Sequence, residues 1–289
     1  MTSTFDWNGR NDGTAVSHRR IFQVTNQSDS ANFALIGFSS DEGVQRNKGR
    51  IGAADAPNAI RKQLANLPVH QPISIADYGD VICENGLLEQ AQARLADQVA
   101  QSLVQGQHPI VLGGGHEVAF GSFSGLFQYL QKHEPEKNIG IINFDAHFDL
   151  REAEQASSGT PFLQAAQLSE QNAKPFHYLC IGVAKHANTK FLFETADRLN
   201  CEYIYDRDVH ILQVESVFEK VSRFIEKVDY LYITIDLDVF SSSIAPGVSA
   251  PAVKGIDLTV FDPILQLIKR SEKIKVLDIA ECNPIFDLD

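Results

Sequence analysis

The sequence predicts an α/β protein, a three-layer α/β/α fold around a mostly parallel sheet, and three observations carry that expectation. Short apolar runs alternate with longer segments of helical period, the runs are apolar on both faces, and no Pro/Gly/Ser-rich stretch divides the chain. Strands buried on both faces read as continuous hydrophobic runs, and the helices between them cover a parallel sheet. "FALIGFS" (33–39) reads as the first strand. "APNAIRKQLANL" (56–67) reads as a helix with Pro57 in its first turn, where a missing N–H costs nothing. Strand "ISIADYGDV" precedes the amphipathic helix "LLEQAQARLADQVAQSLVQG" (87–106), which Gly106 ends. Strand "PIVLGG", helix "VAFGSFSGLFQYLQKH", strands "NIGIINF" and "FHYLCIGV" and helix "TKFLFETADRLN" follow. Strand "CEYIYDRDV", helix "VESVFEKVSRFIEKV", strand "DYLYITIDLDVF", helix "TVFDPILQLIKRS" and strand "IKVLDIAECNP" complete the series. Residues 1–289 are expected to form one domain, with 1–30 as an N-terminal extension.

Composition narrows the function. The chain is 44% hydrophobic and 21% charged, ordinary for a globular protein with a large core. Its net charge of −12, without a basic patch, argues against nucleic-acid partners. No window approaches the roughly 20 apolar residues of a membrane span. "MTSTFDWNGRNDG" lacks the basic and apolar regions of a secretory signal. Cys83, Cys180, Cys201 and Cys282 show no C-x-x-C spacing and read as free thiols. A soluble cytoplasmic protein is expected.

Ligands of such sheets bind beyond the carboxyl ends of the strands, and three exits there carry acids and histidines. "VLGGGHE" leads to His116 and Glu117, "GIINFDAHFDLR" carries Asp145, His147 and Asp149, and "LYITIDLDVF" carries Asp236 and Asp238. Alternate residues of a strand share a face, so each D-x-H-x-D or D-x-D set can project together while Ala146 and Phe148 pack behind. A lone GGGHE is equally a glycine turn before a helix, and a lone D-x-D is often solvated. Together they make four carboxylates and two imidazoles, which would repel strongly without a cation. Oxygen and imidazole donors without thiolate favour Mn²⁺, with Fe²⁺, Co²⁺ or Zn²⁺ as alternatives, and the stoichiometry suits two ions. Such pairs, about 3.5–4 Å apart, supply hydroxide at neutral pH.

The segments "GGGHE" (113–117), "NFDAHFDLR" (143–151), "TIDLDVFSSSIAPGVSAPA" (234–252) and "DIAECNP" (278–284) resemble the motifs of the ureohydrolase family of arginases, agmatinases and formimidoylglutamases. The resemblance begins near "EGVQRNKGRIGAADAPNAIR" (42–61) and keeps the family's order. It implies an arginase-like fold, two Mn²⁺ per chain, a homo-oligomer (trimer or hexamer), and hydrolysis of a C–N bond in a guanidine or amidine. By motif position, His116 and Asp149 would hold one ion, His147 and Asp238 the other, with Asp145 and Asp236 bridging. Asp238 would also relay a proton, and Glu281 would pair with the cationic nitrogens of the substrate. The family's further helix after "ECNP" has no counterpart before Asp289.

Departures from the arginase and agmatinase patterns point to the substrate. Ser158 replaces a loop histidine proposed there as a proton shuttle. Arg151 stands where arginases have a small neutral residue, and Lys185 and Asn188 where they present an acid. Added cations suit a more anionic tail, and Arg captures carboxylates bidentately. N-formimino-L-glutamate has two carboxylates and no free α-ammonium. The phrases "RNKGRIGAADAP", "FDLR", "SSGTPF" and "APGVSAPA" are similar to those of family members that cleave it to glutamate and formamide in histidine degradation. Arg151, Ser158, Lys185 and Asn188 are therefore the candidate substrate contacts. The resemblance implies that Arg46, Lys48 and Arg50 lie in a loop near the site, where any of them could serve and solvent-facing side chains are the plain alternative. A salt bridge with Glu152 or Glu154 is the plain alternative for Arg151. The competing functions are hydrolysis of another carboxylated guanidine and a catalytically silent binding protein on the same fold.

Overall fold

Burial on both faces is what makes these strands a sheet interior, and two apolar clusters form on its opposite sides. In strand β4 (Ile139–Phe144), Ile141 joins one cluster while Ile142 and Phe144 join the other. Strand β7 (Tyr230–Asp236) divides in the same way, Tyr232 against Leu231, Ile233 and Ile235. The computed structural model describes residues 5–13, 15–27 and 30–288.

The remaining strands are β1 (Phe33–Ser39), β2 (Ile75–Ile82), β3 (His108–Leu112), β5 (His177–Val183), β6 (Glu202–Tyr205) and β8 (Ile274–Ala280). The helices are α1 (Glu42–Arg46), α2 (Ala56–Ala65), α3 (Leu88–Val104), α4 (Val118–His133), α5 (Pro161–Gln171), α6 (Lys190–Arg198), α7 (Val214–Glu226) and α8 (Leu258–Lys269). The eight strands form one sheet in the order β2-β1-β3-β8-β7-β4-β5-β6, every pair parallel. With helices on both sides, this is the expected three-layer arrangement.

Four expected strands end early; β3 stops at Leu112 and β8 at Ala280, each short of its expected end. β7 stops at Asp236 because the Asp236 carboxylate accepts the Asp238 N–H at 2.8 Å, which starts a 3₁₀ turn over Leu237–Val239. β6 stops at Tyr205, where the acidic turn Asp206–Asp208 begins. Helix α1 has no periodic signal because five residues are too few to show one.

Residues 1–4 of the expected N-terminal extension lie outside the described residues. Further on, the extension is tied to the sheet edge. Trp7 Nε1 donates to Asp77 at 2.8 Å, and Thr25 bridges to Ile75 in β2. The edge is held from inside by Arg61 of α2, whose fully buried guanidinium pairs with Asp77 at 2.8 Å and Asp80 at 2.5 Å.

Candidate metal centre

β3, β8, β7 and β4 are neighbours at the middle of the sheet, and their carboxyl ends deliver the candidate residues. His116 follows β3, Glu281 follows β8, Asp236 closes β7, and Asp145, His147 and Asp149 follow β4. The backbone ties these exits together, with Gly113 N–H donating to Ile279 and Glu281 N–H to Gly114, each at 2.8 Å. Glycine is required in the first exit, since a Cβ on Gly114 would lie 1.7 Å from the Ser40 carbonyl oxygen.

Alternation along a strand is not how these acids converge. β4 ends before Asp145, whose carboxylate accepts the His147 N–H at 2.6 Å and turns the chain. Asp149 has a left-handed backbone, φ +49°, and so does Glu281, φ +65°. Non-glycine residues in this region cost free energy and recur at functional sites. The result is nonetheless what the motifs predict, with Ala146 and Phe148 buried behind the acids.

Two groups of side chains could each hold a metal ion, His116 with Asp145, Asp149 and Asp236, and Asp145 with His147 and Asp238. Within each, the ligating atoms lie within 4.8 Å of one another. His116 Nδ1 is 3.1 Å from Asp145 Oδ2, 2.9 Å from Asp149 and 3.1 Å from Asp236. His147 Nδ1 is 2.9 Å from Asp238 and 3.5 Å from Asp145 Oδ1. Asp145 thus turns one oxygen to each group. Asp236, the other expected bridge, sits with the first group, its Oδ1 engaged by the Asp238 N–H.

The donor set fits a pair of divalent cations. His116 Nε2 is 3.0 Å from Thr234 Oγ1. In the tautomer that donates this bond, buried Nδ1 presents a lone pair to three carboxylates and has no hydrogen-bond partner. Without a cation only protons relieve the repulsion. Burial alone would lower the pKa of His116 and of His147, but the facing aspartates raise both well above the ordinary value. Burial raises Asp236, with Asp238 and Asp145 adding to it, and pushes Asp238 up to about 6. Asp149 is raised by burial and by Asp145. Asp145 alone moves down, because against its burial stand hydrogen bonds to both imidazoles.

Sequence reasoning missed the groups that orient these ligands. Thr234 and Asn143 each precede a motif aspartate by two residues. Asn143 Nδ2 donates to Asp145 Oδ2 at 2.9 Å. Thr234 pairs in register with Asp278, which accepts from Tyr232 OH at 2.6 Å. The i−2 position on the same strand face was the available signal.

A cavity of about 260 Å³ opens above the acids, lined by both histidines, Asp149, Asp236, Asp238, Glu281, Arg151 and Ser158. Glu281 Oε1 accepts the His116 N–H at 3.0 Å, while Oε2 has no hydrogen-bond partner. Burial first, then neighbouring Glu117, pushes Glu281 up to about 8. Arg151 is exposed at the cavity wall and makes no ion pair among the described residues; Glu152 pairs with Arg198 instead, at 3.3 Å. Lys185 and Asn188 do not line this cavity. Lys185 is exposed, and Asn188 holds the loop, accepting from Phe148 N–H and donating to the Ala146 and Ala184 carbonyls. Four free cysteines stand as expected. No described helix is long and apolar enough to cross a membrane.

A parallel sheet with acids and histidines converging at its central strand exits fits the class of metal-dependent hydrolases. The arginase family model matches residues 31–289, and the chain belongs to that family. It is 50% identical over 257 residues to a formimidoylglutamase of Aeromonas salmonicida, covering 89% of this chain and 81% of the relative. A formimidoylglutamase of Vibrio vulnificus is 45% identical over 306 residues, covering 100% and 91%. Among solved structures, Trypanosoma cruzi formiminoglutamase with Mn²⁺ superposes with a TM-score of 0.81 at 24% identity, over 93% of this chain and 92% of that one.

Proposed function

We propose that this chain is a manganese-dependent formimidoylglutamase, hydrolysing N-formimino-L-glutamate to L-glutamate and formamide. The observation that carries the reading is the pair of candidate ligand groups sharing Asp145 beneath a cavity whose wall presents Arg151, which has no ion pair among the described residues. The curated relatives named for this activity, up to 50% identical, support it.

His116, Asp149 and Asp236 would hold one Mn²⁺, His147 and Asp238 the other, with Asp145 offering one oxygen to each group. A Mn²⁺ pair held there supplies Lewis acidity and a strongly acidified water at neutral pH. The chain's own groups do the rest. Glu281 offers its free Oε2 to the cationic formimino nitrogens and so presents the carbon to the water. Asp238, in the cavity wall, holds the proton given up by water and passes it to the nitrogen of glutamate as the C–N bond breaks. Arg151 holds a carboxylate of the tail. Ser158 lines the same wall. The chain acts as one domain, in the cytoplasm, as a trimer or hexamer.

Glutamate release from formiminoglutamate, with and without added Mn²⁺, tests the reading against urea release from guanidino acids. Mn²⁺-dependent glutamate release is expected, and urea release alone would overturn it. Orientation of His116 by Thr234 adds a second expectation. Thr234→Val keeps the shape but removes the Nε2 partner, and should weaken Mn²⁺ binding about 10- to 100-fold in a metal titration.

A further inference from the structure

The segment between β1 and α2 carries three cations, Arg46 at the end of α1 and Lys48 and Arg50 in the loop after it, and their surroundings separate them. Arg46 is fully engaged. It pairs with Glu42 at 2.9 Å and Glu89 at 2.6 Å and donates to the Ala156 and Gly86 carbonyls. Arg50 donates to the Val248 carbonyl at 2.5 Å and lies 5.0 Å over the Phe286 ring. Lys48, between them, is exposed, lines the cavity above the acids, and makes no ion pair among the described residues.

The loop holding Lys48 is braced on every side. Glu117, fully buried, accepts from Gly43 N–H and Ser40 Oγ, each at 2.9 Å. Ser249 Oγ accepts from Arg50 N–H at 3.0 Å, and a Cβ on Gly49 would meet that oxygen at 2.2 Å. Asn47 Nδ2 donates to Ser158 Oγ at 3.1 Å, which joins the loop to the segment after Arg151. A Cβ on Gly159 would lie 2.9 Å from Arg151 Cδ and 3.4 Å from Asn47 Nδ2, so both side chains flank one glycine. Lys48 itself has a left-handed backbone, φ +61°, a conformation that lysine seldom adopts. A braced loop that holds a lysine in a left-handed backbone conformation at a cavity wall, with no ion pair among the described residues, is a placed charge.

We propose that Lys48 and Arg151 form a two-cation cradle in which each takes one carboxylate of a dicarboxylate substrate, making Lys48 the second specificity-determining residue of the site. Among the described residues lining the cavity, these are the two lysine or arginine side chains. Arg offers a planar fork and Lys a point charge, so the two suit carboxylates approached from different directions. The inference rests on the dicarboxylate reading above and selects one residue from three that sequence leaves equal.

The test compares N-formimino-L-glutamate with two monocarboxylate analogues, N-formimino-4-aminobutyrate and N-formimino-L-norvaline, on the Mn²⁺-loaded protein. Lys48→Met should raise KM for the dicarboxylate about 10- to 100-fold, with the loss in KM rather than kcat. It should cost little on the analogue that lacks the carboxylate Lys48 holds. Arg151→Ala should show the opposite analogue preference, and Lys48→Arg should recover most of the affinity. An unchanged KM, or equal losses on all three substrates, would overturn the proposal. If the unaltered protein does not turn over formiminoglutamate, the functional reading fails separately. Calorimetry with glutarate then decides the cradle. Binding lost in Lys48→Met supports it, and no binding by the unaltered protein overturns it.

Discussion

Asp236→Ala should bind no more than about one Mn²⁺ per chain and lose turnover by about 10³-fold or more. Each tenfold in rate is about 1.4 kcal/mol, and a bound metal contributes several kcal/mol of charge stabilisation. Asp236 is buried within 3.1 Å of His116 Nδ1 and joined through its backbone to the turn that carries Asp238. The substitution therefore removes a ligand and loosens the neighbouring one. Loss of folding is separable from loss of metal. Burial and the neighbouring aspartates raise the pKa of Asp236, so without metal this carboxyl is a liability to the fold. The metal-free variant should melt at or above the metal-free parent, while the stabilisation on adding Mn²⁺ shrinks. A variant that keeps two ions and near-parental turnover would remove Asp236 from the centre.

Metal removal should make stability fall as pH rises. Burial holds Glu281 up to about 8, Glu117 up to about 7 and Asp238 up to about 6, against ordinary carboxyl values near 4. A group whose folded pKa is raised binds its proton more tightly in the fold, and that stability is lost as pH climbs through the folded value. His116 and His147 are raised too and act in the same direction. Asp145 is lowered, so its contribution is lost only on acidification through the ordinary aspartate range, below this window. Between about pH 5 and 8 the metal-free protein should lose roughly 5–10 °C in Tm, the scale of about 2–3 kcal/mol in a chain of this size. Saturating Mn²⁺ should add about 4 kcal/mol of stability at a thousandfold excess over Kd. Calorimetry of chelated and loaded protein at several pH values checks this. A flat or rising Tm in the chelated protein contradicts it.

The two predictions depend on different links between sequence and structure. The strand runs were legible because both faces of the sheet are covered, so hydrophobic continuity alone marks β4, β5 and β7. The candidate ligand set was legible because D-x-H-x-D and D-x-D compress several carboxylates and an imidazole into a few residues. The geometry behind it was not. Asp145 and Asp236 turn the chain through their own carboxylates, and Asp149 leaves the extended region altogether. Side-chain-to-backbone bonds of this kind leave no periodic trace. Charge type also failed to separate structural from functional residues. Asn188 is a loop staple, Arg46 and Arg50 are anchors, and Lys48 makes no ion pair among the described residues, though all four occupy similar polar segments.

The sequence by itself determined the layered α/β class, the strand exits as the place to look, and the six metal-ligand candidates with Glu281, and it marked Arg151 as the candidate for an anionic substrate tail. Only the tertiary structure decided that β3, β8, β7 and β4 lie side by side, bringing together exits that the chain separates by up to 165 positions. Only it showed Asp145 shared between the two groups, and which cation of "RNKGR" faces the cavity. The physical reason is locality. Hydrophobic period and motif spacing are properties of neighbours along the chain, whereas a metal cage and a charge without a partner are defined by neighbours in space.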